Sequence, residues 1–419
     1  MIFERKMYLQ RLINGRGNGM VKIITGVRRC GKSFLLFNLF RNWLLKNGTT
    51  PDHILSLALD EQRNKKLLNP DALLDYIDAH IIRDEQTTYL ILDEIQLVKD
   101  FIGVMISLMH EPNVEVYVSG SNSKFLSSDV VTEFRGRGWE IRVHPLSFAE
   151  YYTQIGGDKM SALKSYYVYG GLPQVALMAD EEEKQQFLKN LYEVTYLRDI
   201  INHNRILNDE GLRQVIQVLA SSIGSGTNVQ RIANTFNSKE HVAIKPMTIQ
   251  KYLGHLEDAF IIQHALRYNI KGRKYIGTET KYYFEDLGVR NAILNFRQSD
   301  EFSHIMENVL YNELRHRGYS VDVGQVDIWA QNSKGTYARK NLEVDFVINR
   351  ADKRIYIQSA YRLPDKEKLD QEQKSLLNVP DSFKKVIITD EYHPSHYNDD
   401  GVYIMGLFDF LLNPDSLNL

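Results

Sequence analysis

Gly26-Val27-Arg28-Arg29-Cys30-Gly31-Lys32-Ser33 constrains this 419-residue chain more than any other stretch. Its spacing is G-x-x-x-x-G-K-[ST], in which glycines let the backbone form a nest of N–H groups around a phosphate. Met20 to Thr25 reads as an apolar strand and Phe34 to Leu45 as a helix. The loop therefore runs from a strand's carboxyl end into a helix N-terminus, whose partial positive charge favours an anion. Lys32 is expected to reach the β- and γ-phosphates of a nucleotide and Ser33 to ligate Mg²⁺. Gly26, Val27, Arg28, Arg29, Cys30, Gly31, Lys32, Ser33 and Phe34 form the expected binding segment. Cys30, the only cysteine, falls near a helix N-terminus, where a thiol is acidified and nucleotide is expected to shield it.

Three further segments complete the expectation. Tyr89 to Glu94 is a continuous apolar run ending in two acids, the pattern of a parallel strand buried on both faces. Asp93 is expected to hold Mg²⁺ with Ser33, and Glu94 to act as general base on the attacking water. Val114 to Ser119 reads as another strand, followed by Gly120-Ser121-Asn122, so Asn122 or Ser121 is placed to orient that water. Phe134-Arg135-Gly136-Arg137-Gly138 offers Arg137 or Arg135 as an arginine finger or γ-phosphate sensor, from this chain or a neighbour.

These motifs, followed by His144-Pro145-Leu146-Ser147-Phe148, resemble bacterial and archaeal AAA-type ATPases with a C-terminal domain of unknown function. The resemblance spans most of the chain. Tyr169-Gly170-Gly171-Leu172-Pro173 is similar to the Gly-x-Pro element in the lid of STAND-type nucleoside triphosphatases, which implies that Pro173 lies near the adenine.

Beyond the nucleotide domain the pattern changes twice. Helical periodicity over 146–205 suggests a lid. From about 212 to 290 the order is helix, helix, helix, hairpin, and Pro246 suits the first turn of the third helix. This is a winged helix-turn-helix layout, also implied by the resemblance. Lys251, Lys271, Arg273 and Lys274, with Lys245, would supply DNA phosphate contacts; Glu257 and Asp258 oppose them. Further on, Glu307, Asp345 and the strand Arg354 to Ala360 resemble a restriction-endonuclease-like PD-(D/E)xK fold. Gln358 stands where that motif has its second acid and Ala360 where it has lysine. An amide is a poorer Mg²⁺ ligand than a carboxylate, and alanine supplies no charge to a transition state. Nuclease activity is therefore not expected.

The fold class expected is α/β: a P-loop NTPase core of AAA type with a parallel sheet (1–145), a helical lid (146–205), a winged helix-turn-helix (206–292), a degenerate endonuclease-like domain (293–395) and a C-terminal tail (396–419). A net charge of −2 gives no global field toward nucleic acid, so any contact is a local patch. One cysteine excludes disulfides within the chain, and no apolar run reaches membrane-spanning length. With no signal-peptide core in its first residues, a cytoplasmic protein is expected. The expected function is an ATPase using ATP and Mg²⁺ as a switch or motor on DNA or a protein partner, with oligomer formation open. The alternative is an ATP-regulated binding module with negligible turnover.

Overall fold

The computed structural model describes residues 2–120, 136–237, 244–297, 301–331, 336–391 and 394–418. The chain divides into two units: residues 1–146 with 172–177 and 258–261, and residues 147–171, 178–257 and 262–419.

In the first unit, β1 (Val21–Thr25), β2 (Ile54–Ala58), β3 (Thr88–Asp93), β4 (Val114–Ser119) and β5 (Gly138–Arg142) form one parallel sheet in the order β2-β3-β4-β1-β5. Every residue of β1 and β3 is buried, as a strand covered on both faces requires. Helices Pro70–His80 and Phe101–Leu108 bring Leu73, Ile77, Val104 and Met105 onto β-strand residues Leu90, Leu92, Val116 and Val118. Asn69 caps the first of these through Ala72 N–H. The pairs Ile24↔Ser119 and Leu92↔Val118 bring the carboxyl ends of β1, β4 and β3 level, so Asp93 and Ser119 stand beside the loop leaving Thr25.

The second unit is built on a nine-stranded sheet. Its members are β6 (Gly226–Thr227), β7 (Ile262–Asn269), β8 (Lys274–Phe284), β9 (Ser320–Gln331), β10 (Tyr337–Arg350), β11 (Lys353–Ala360), β12 (Lys384–Thr389), β13 (His396–Tyr397) and β14 (Tyr403–Gly406), in the order β13-β14-β12-β11-β10-β9-β7-β8-β6. Helix Phe302–His316 stacks Tyr311 on Tyr283, with ring centroids 4.1 Å apart. Helix Lys366–Leu377 places Leu376 in a cluster with Val344, Val347, Tyr356 and Ala360.

The expected helices Asp209–Ser221, Val229–Thr235 and Pro246–Asp258 form in order, ahead of the β7/β8 hairpin. The hairpin is not a free wing, however, because β7 pairs in parallel with β9 through Arg267↔Val323 and its neighbours. One sheet thus crosses the boundary expected at 292/293. The expected tail is also structured: β13, β14 and helix Leu407–Leu412 fall within it, and β14 extends the sheet through Val386↔Tyr403. Tyr403–Gly406 has only four residues, too few for sequence periodicity to register.

Asp286 fixes a tight junction within this unit. Its carboxylate caps helix Leu287–Ile293 through Val289 N–H (3.0 Å) and accepts Gly171 N–H (2.7 Å). A Cβ on Gly170 would come within 2.3 Å of Asp286 Oδ1, at a φ of +74° that already favours glycine. Burial pushes the Asp286 carboxyl up to about 6, against the pull of its N–H donors.

Candidate functional site

The loop closes because two glycines take up backbone that other residues resist. Gly26 has φ +139°, and a Cβ there would lie 2.1 Å from Val143 O; Gly31 has φ +103° and opens helix Lys32–Phe34. That helix continues through a π-helical stretch, Leu35–Phe40, into Arg41–Lys46. Gly26 and the buried Val27 shape the loop from behind, whereas Arg28, Arg29, Gly31, Lys32, Ser33 and Phe34 line a cavity of roughly 460 Å³. The Lys32 side chain is buried, its ammonium donating to Gly26 O (2.8 Å) and Val27 O (3.2 Å).

On the polar side Glu94 lines the cavity and Asp93 lies behind Ser33. Asp93 is buried and accepts from Ser119 Oγ, while the Ser33 hydroxyl also bonds to it. Burial raises its carboxyl above the ordinary range, opposed by those hydroxyls and the Lys32 charge. A buried carboxylate joined to a hydroxyl is a hard-oxygen pair suited to Mg²⁺. Ser33 and Asp93 are the residues that would hold it. Glu94 lines the cavity with a left-handed backbone (φ 55°, ψ 42°), a conformation costing on the order of 1 kcal/mol that concentrates at functional sites.

The remaining walls are apolar. Ile2, Phe3, Phe34, Pro173 and Leu177 line the same cavity, and Ile2, Phe34 and Leu177 are 58%, 40% and 48% exposed. Exposed apolar groups converging on one cleft suit a flat ring. Pro173 Cγ would lie 3.7 Å from a Cβ on Gly31, which sets it against the loop.

Other expected residues fall elsewhere. Arg137 precedes β5, and its carbonyl accepts from Val21 N–H at the amino end of β1. The loop begins at the other end, about 16 Å away at 3.3 Å per residue, so within this chain Arg137 does not reach the phosphate site. Asn122, Ser121 and Arg135 lie outside the described residues. Cys30 also lines the cavity, but its side chain is buried and its Sγ donates to Val143 O (3.3 Å), so the thiol itself is turned into the fold. Sequence reasoning missed Ile2, Phe3, Asp60, Gln174 and Leu177, all of which line the cavity, and Ser119. Asp60 carried a signal, since it follows the apolar run Ile54 to Leu59 much as Asp93 ends its own.

The acids in the second unit are arranged for a different purpose. Glu307 Oε1 accepts from Lys281 Nζ (2.8 Å) and Tyr283 OH (2.6 Å), and Lys281 Nζ also meets Glu343 Oε1 (2.7 Å). Asp345 is buried and accepts Ser359 N–H (2.8 Å); burial and nearby Glu307 push its carboxyl well up. Gln358 Oε1 accepts from the Asp345 N–H and Ser375 Oγ, and Ala360 is buried in the core. The position that carries lysine in the resembled motif is therefore packed. The cation among these acids comes from β8, a strand far away in sequence.

Residues 18–152 match a family described as an AAA domain, and 160–300 match a domain of unknown function. An uncharacterized protein of Haemophilus influenzae is 32% identical over 416 residues, covering 98% of this chain and 99% of that one. The chain belongs to the same family. An uncharacterized protein of Methanocaldococcus jannaschii is 27% identical, over 91% of this chain and 83% of its own length. Among solved structures, the Walker-type ATPase of Pyrococcus abyssi has a TM-score of 0.48 at 14% identity, covering 70% of this chain and 96% of that one. AMPPCP-bound DnaA from Aquifex aeolicus has a TM-score of 0.31 at 14% identity, covering 61% and 88%. Among the described residues no helix is long and apolar enough to cross a membrane.

Proposed function

We propose that this protein binds and hydrolyses ATP and uses the cycle as a switch or motor on a macromolecular partner. The observation that carries the reading is that Lys32, Ser33 and Glu94 line one cavity with an apolar wall, with the buried Asp93 bonded to Ser33 behind it. Backbone N–H groups from Gly31 to Ser33 cradle the phosphates, and Lys32 leaves its carbonyl partners to meet their charge. Phe34, Pro173 and Leu177 cover the base. Ser33 and Asp93 would hold Mg²⁺, which would neutralise phosphate charge. Glu94 takes a proton from the attacking water as its oxygen bonds the γ-phosphorus, and the bond to the β,γ-bridging oxygen breaks to release ADP. Phosphate release tests this: Lys32→Ala and Glu94→Gln are each expected to slow turnover about a hundredfold or more. Turnover unchanged in both sinks the proposal, and tight binding without turnover in the wild type favours a non-hydrolysing binding module.

DNA is one proposed partner, through the winged-helix reading of 206–292. Exposed Lys245, Lys251, Arg273 and Lys274 support it, whereas Lys271 is already engaged with Asp327 O (2.8 Å). Duplex binding measured by anisotropy should weaken with salt, and absent or salt-insensitive binding favours a protein partner. Arg137, exposed and remote from its own loop, is proposed to act only on a neighbouring copy.

A further inference from the structure

Strands β9 and β10 run on past the rest of their sheet. β7 pairs with β9 only at Val323 to Gln325, and β11 pairs with β10 only from Phe346 onward. From Val326↔Leu342 to Tyr337↔Gln331 the two strands pair only with each other among the described residues. They form a two-stranded ribbon that reaches roughly 14 Å beyond Asp327, at 3.4 Å per residue. Such a ribbon has no core to bury large rings, yet this one carries two. Trp329 is 73% exposed and Tyr337 is 70% exposed. The register sets Trp329 opposite Arg339 and Gln331 opposite Tyr337, so both rings stand on one face, one diagonal step apart.

Cations crowd the same end of the sheet. Asn269 Nδ2 donates to Asp327 Oδ2 (2.9 Å) and Lys271 Nζ to Asp327 O (2.8 Å), which ties the β7/β8 turn to the base of the ribbon. Turn and ribbon together hold Lys271, Arg273, Lys274, Arg339 and Lys340 against one carboxylate among the described residues there, Asp327. Arg339 already pairs with that acid. Arg273, Lys274 and Lys340 are exposed and make no hydrogen bond or ion pair among the described residues. In a chain of net charge −2 this is a local positive patch. Its partner must be anionic and must offer flat faces to the rings. A duplex hides its base faces in the stack, and an acidic peptide backbone has none. A single-stranded nucleic acid presents both, phosphates for the cations and unstacked bases for the rings.

We propose that the β9/β10 ribbon binds single-stranded nucleic acid, with bases stacked on Trp329 and Tyr337 and phosphates met by Arg273, Lys274 and Lys340. The site goes beyond the function proposed above and does not depend on ATP. It shares Arg273 and Lys274 with the duplex reading of 206–292, and it adds a stacking surface and a cation that lie outside that segment.

The test titrates the full chain, without nucleotide, into labelled oligodeoxythymidylate, oligouridylate and a duplex of the same length, read by anisotropy over a range of salt. At least one single strand should bind about tenfold or more tighter than the duplex, and the tighter of the two identifies DNA or RNA as the ligand. Trp329→Ala and Tyr337→Ala should each weaken that binding about fivefold or more, whereas Trp329→Phe, which keeps a ring, should stay within about threefold. Lys340→Gln should weaken it and lower the slope of log K against log salt by about 0.7, the share of one phosphate on a single strand. These positions are exposed, so thermal unfolding should shift by less than about 2 °C. Binding to neither single strand overturns the proposal, as does unchanged affinity in folded Trp329→Ala. A duplex bound as tightly as the single strands overturns it and leaves only the duplex reading. Displacement by polyglutamate as readily as by unlabelled strand overturns it in favour of a protein partner. If Trp329→Ala does not fold, wild-type affinity in Tyr337→Ala overturns it equally. Phosphate release enters none of these measurements, so failure here and failure of the ATPase reading are separate results.

Discussion

Replacing Lys281 with methionine strips a buried cation from two carboxylates while leaving most of the side-chain volume. Lys281 is 5% exposed, and its ammonium lies 2.8 Å from Glu307 and 2.7 Å from Glu343. Those acids raise its proton affinity despite burial, and the same ammonium, with Tyr283 and His304, holds the Glu307 carboxyl below its ordinary value. Removing one partner of a buried pair costs about 3–5 kcal/mol, because the other charge is left uncompensated. For a unit of this size that corresponds to a Tm lower by roughly 6–20 °C. The pH dependence supplies an independent check. In the wild type, a depressed Glu307 contributes stability that is present above the unfolded carboxyl range and lost as pH falls through the folded value. In Lys281→Met the desolvated Glu307 favours its proton, so stability should instead rise as pH is lowered from 7 toward 5. Adding Glu307→Gln should recover much of the loss, giving a coupling above about 1 kcal/mol in the double-mutant cycle. The assays are thermal unfolding for Tm and urea unfolding for the free energies, each followed by fluorescence at pH 5 and pH 7. A Tm change under 2 °C at pH 7, or additive single and double variants, would refute the reasoning that Lys281 neutralises this cluster.

Gly26→Ala should abolish nucleotide binding and lower Tm, since its Cβ would strike Val143 O at 2.1 Å; retained binding in isothermal titration means the loop is not built as described. Cys30 in the folded protein should resist iodoacetamide with or without ATP and react only in urea, because its side chain is buried; rapid native labelling counts against that packing. Asp286, raised to about 6 from 3.8, loses stability as pH climbs through its folded value. Relative to Asp286→Asn, the wild type should therefore lose up to about 3 kcal/mol between pH 4 and pH 7, and a pH-independent difference between the two would contradict the buried ionisation.

The nucleotide side of this protein was legible because its chemistry is local in sequence. Gly26 to Ser33 carries its own turn, donors and helix start within eight residues, and Tyr89 to Glu94 marks a doubly buried strand and its acids by composition alone. The helix Pro246–Asp258 was readable for the same reason, since an N-terminal proline acts within one turn. Tertiary structure decided which remote groups meet. Only strand register sets Ser119 on Asp93 and Arg137 at the far end of β1. Only the folded cavity gathers Ile2, Phe3 and Leu177 around the loop. Lys281 reaches Glu307 and Glu343 because β7/β8 joins the sheet of β9 and β10, a pairing between segments that no local pattern encodes. Sequence spacing fixes what a residue can do. Contacts between distant segments fix which charge it faces, and in a desolvated interior that neighbour decides whether an acid binds a metal, accepts a proton or is held by a lysine.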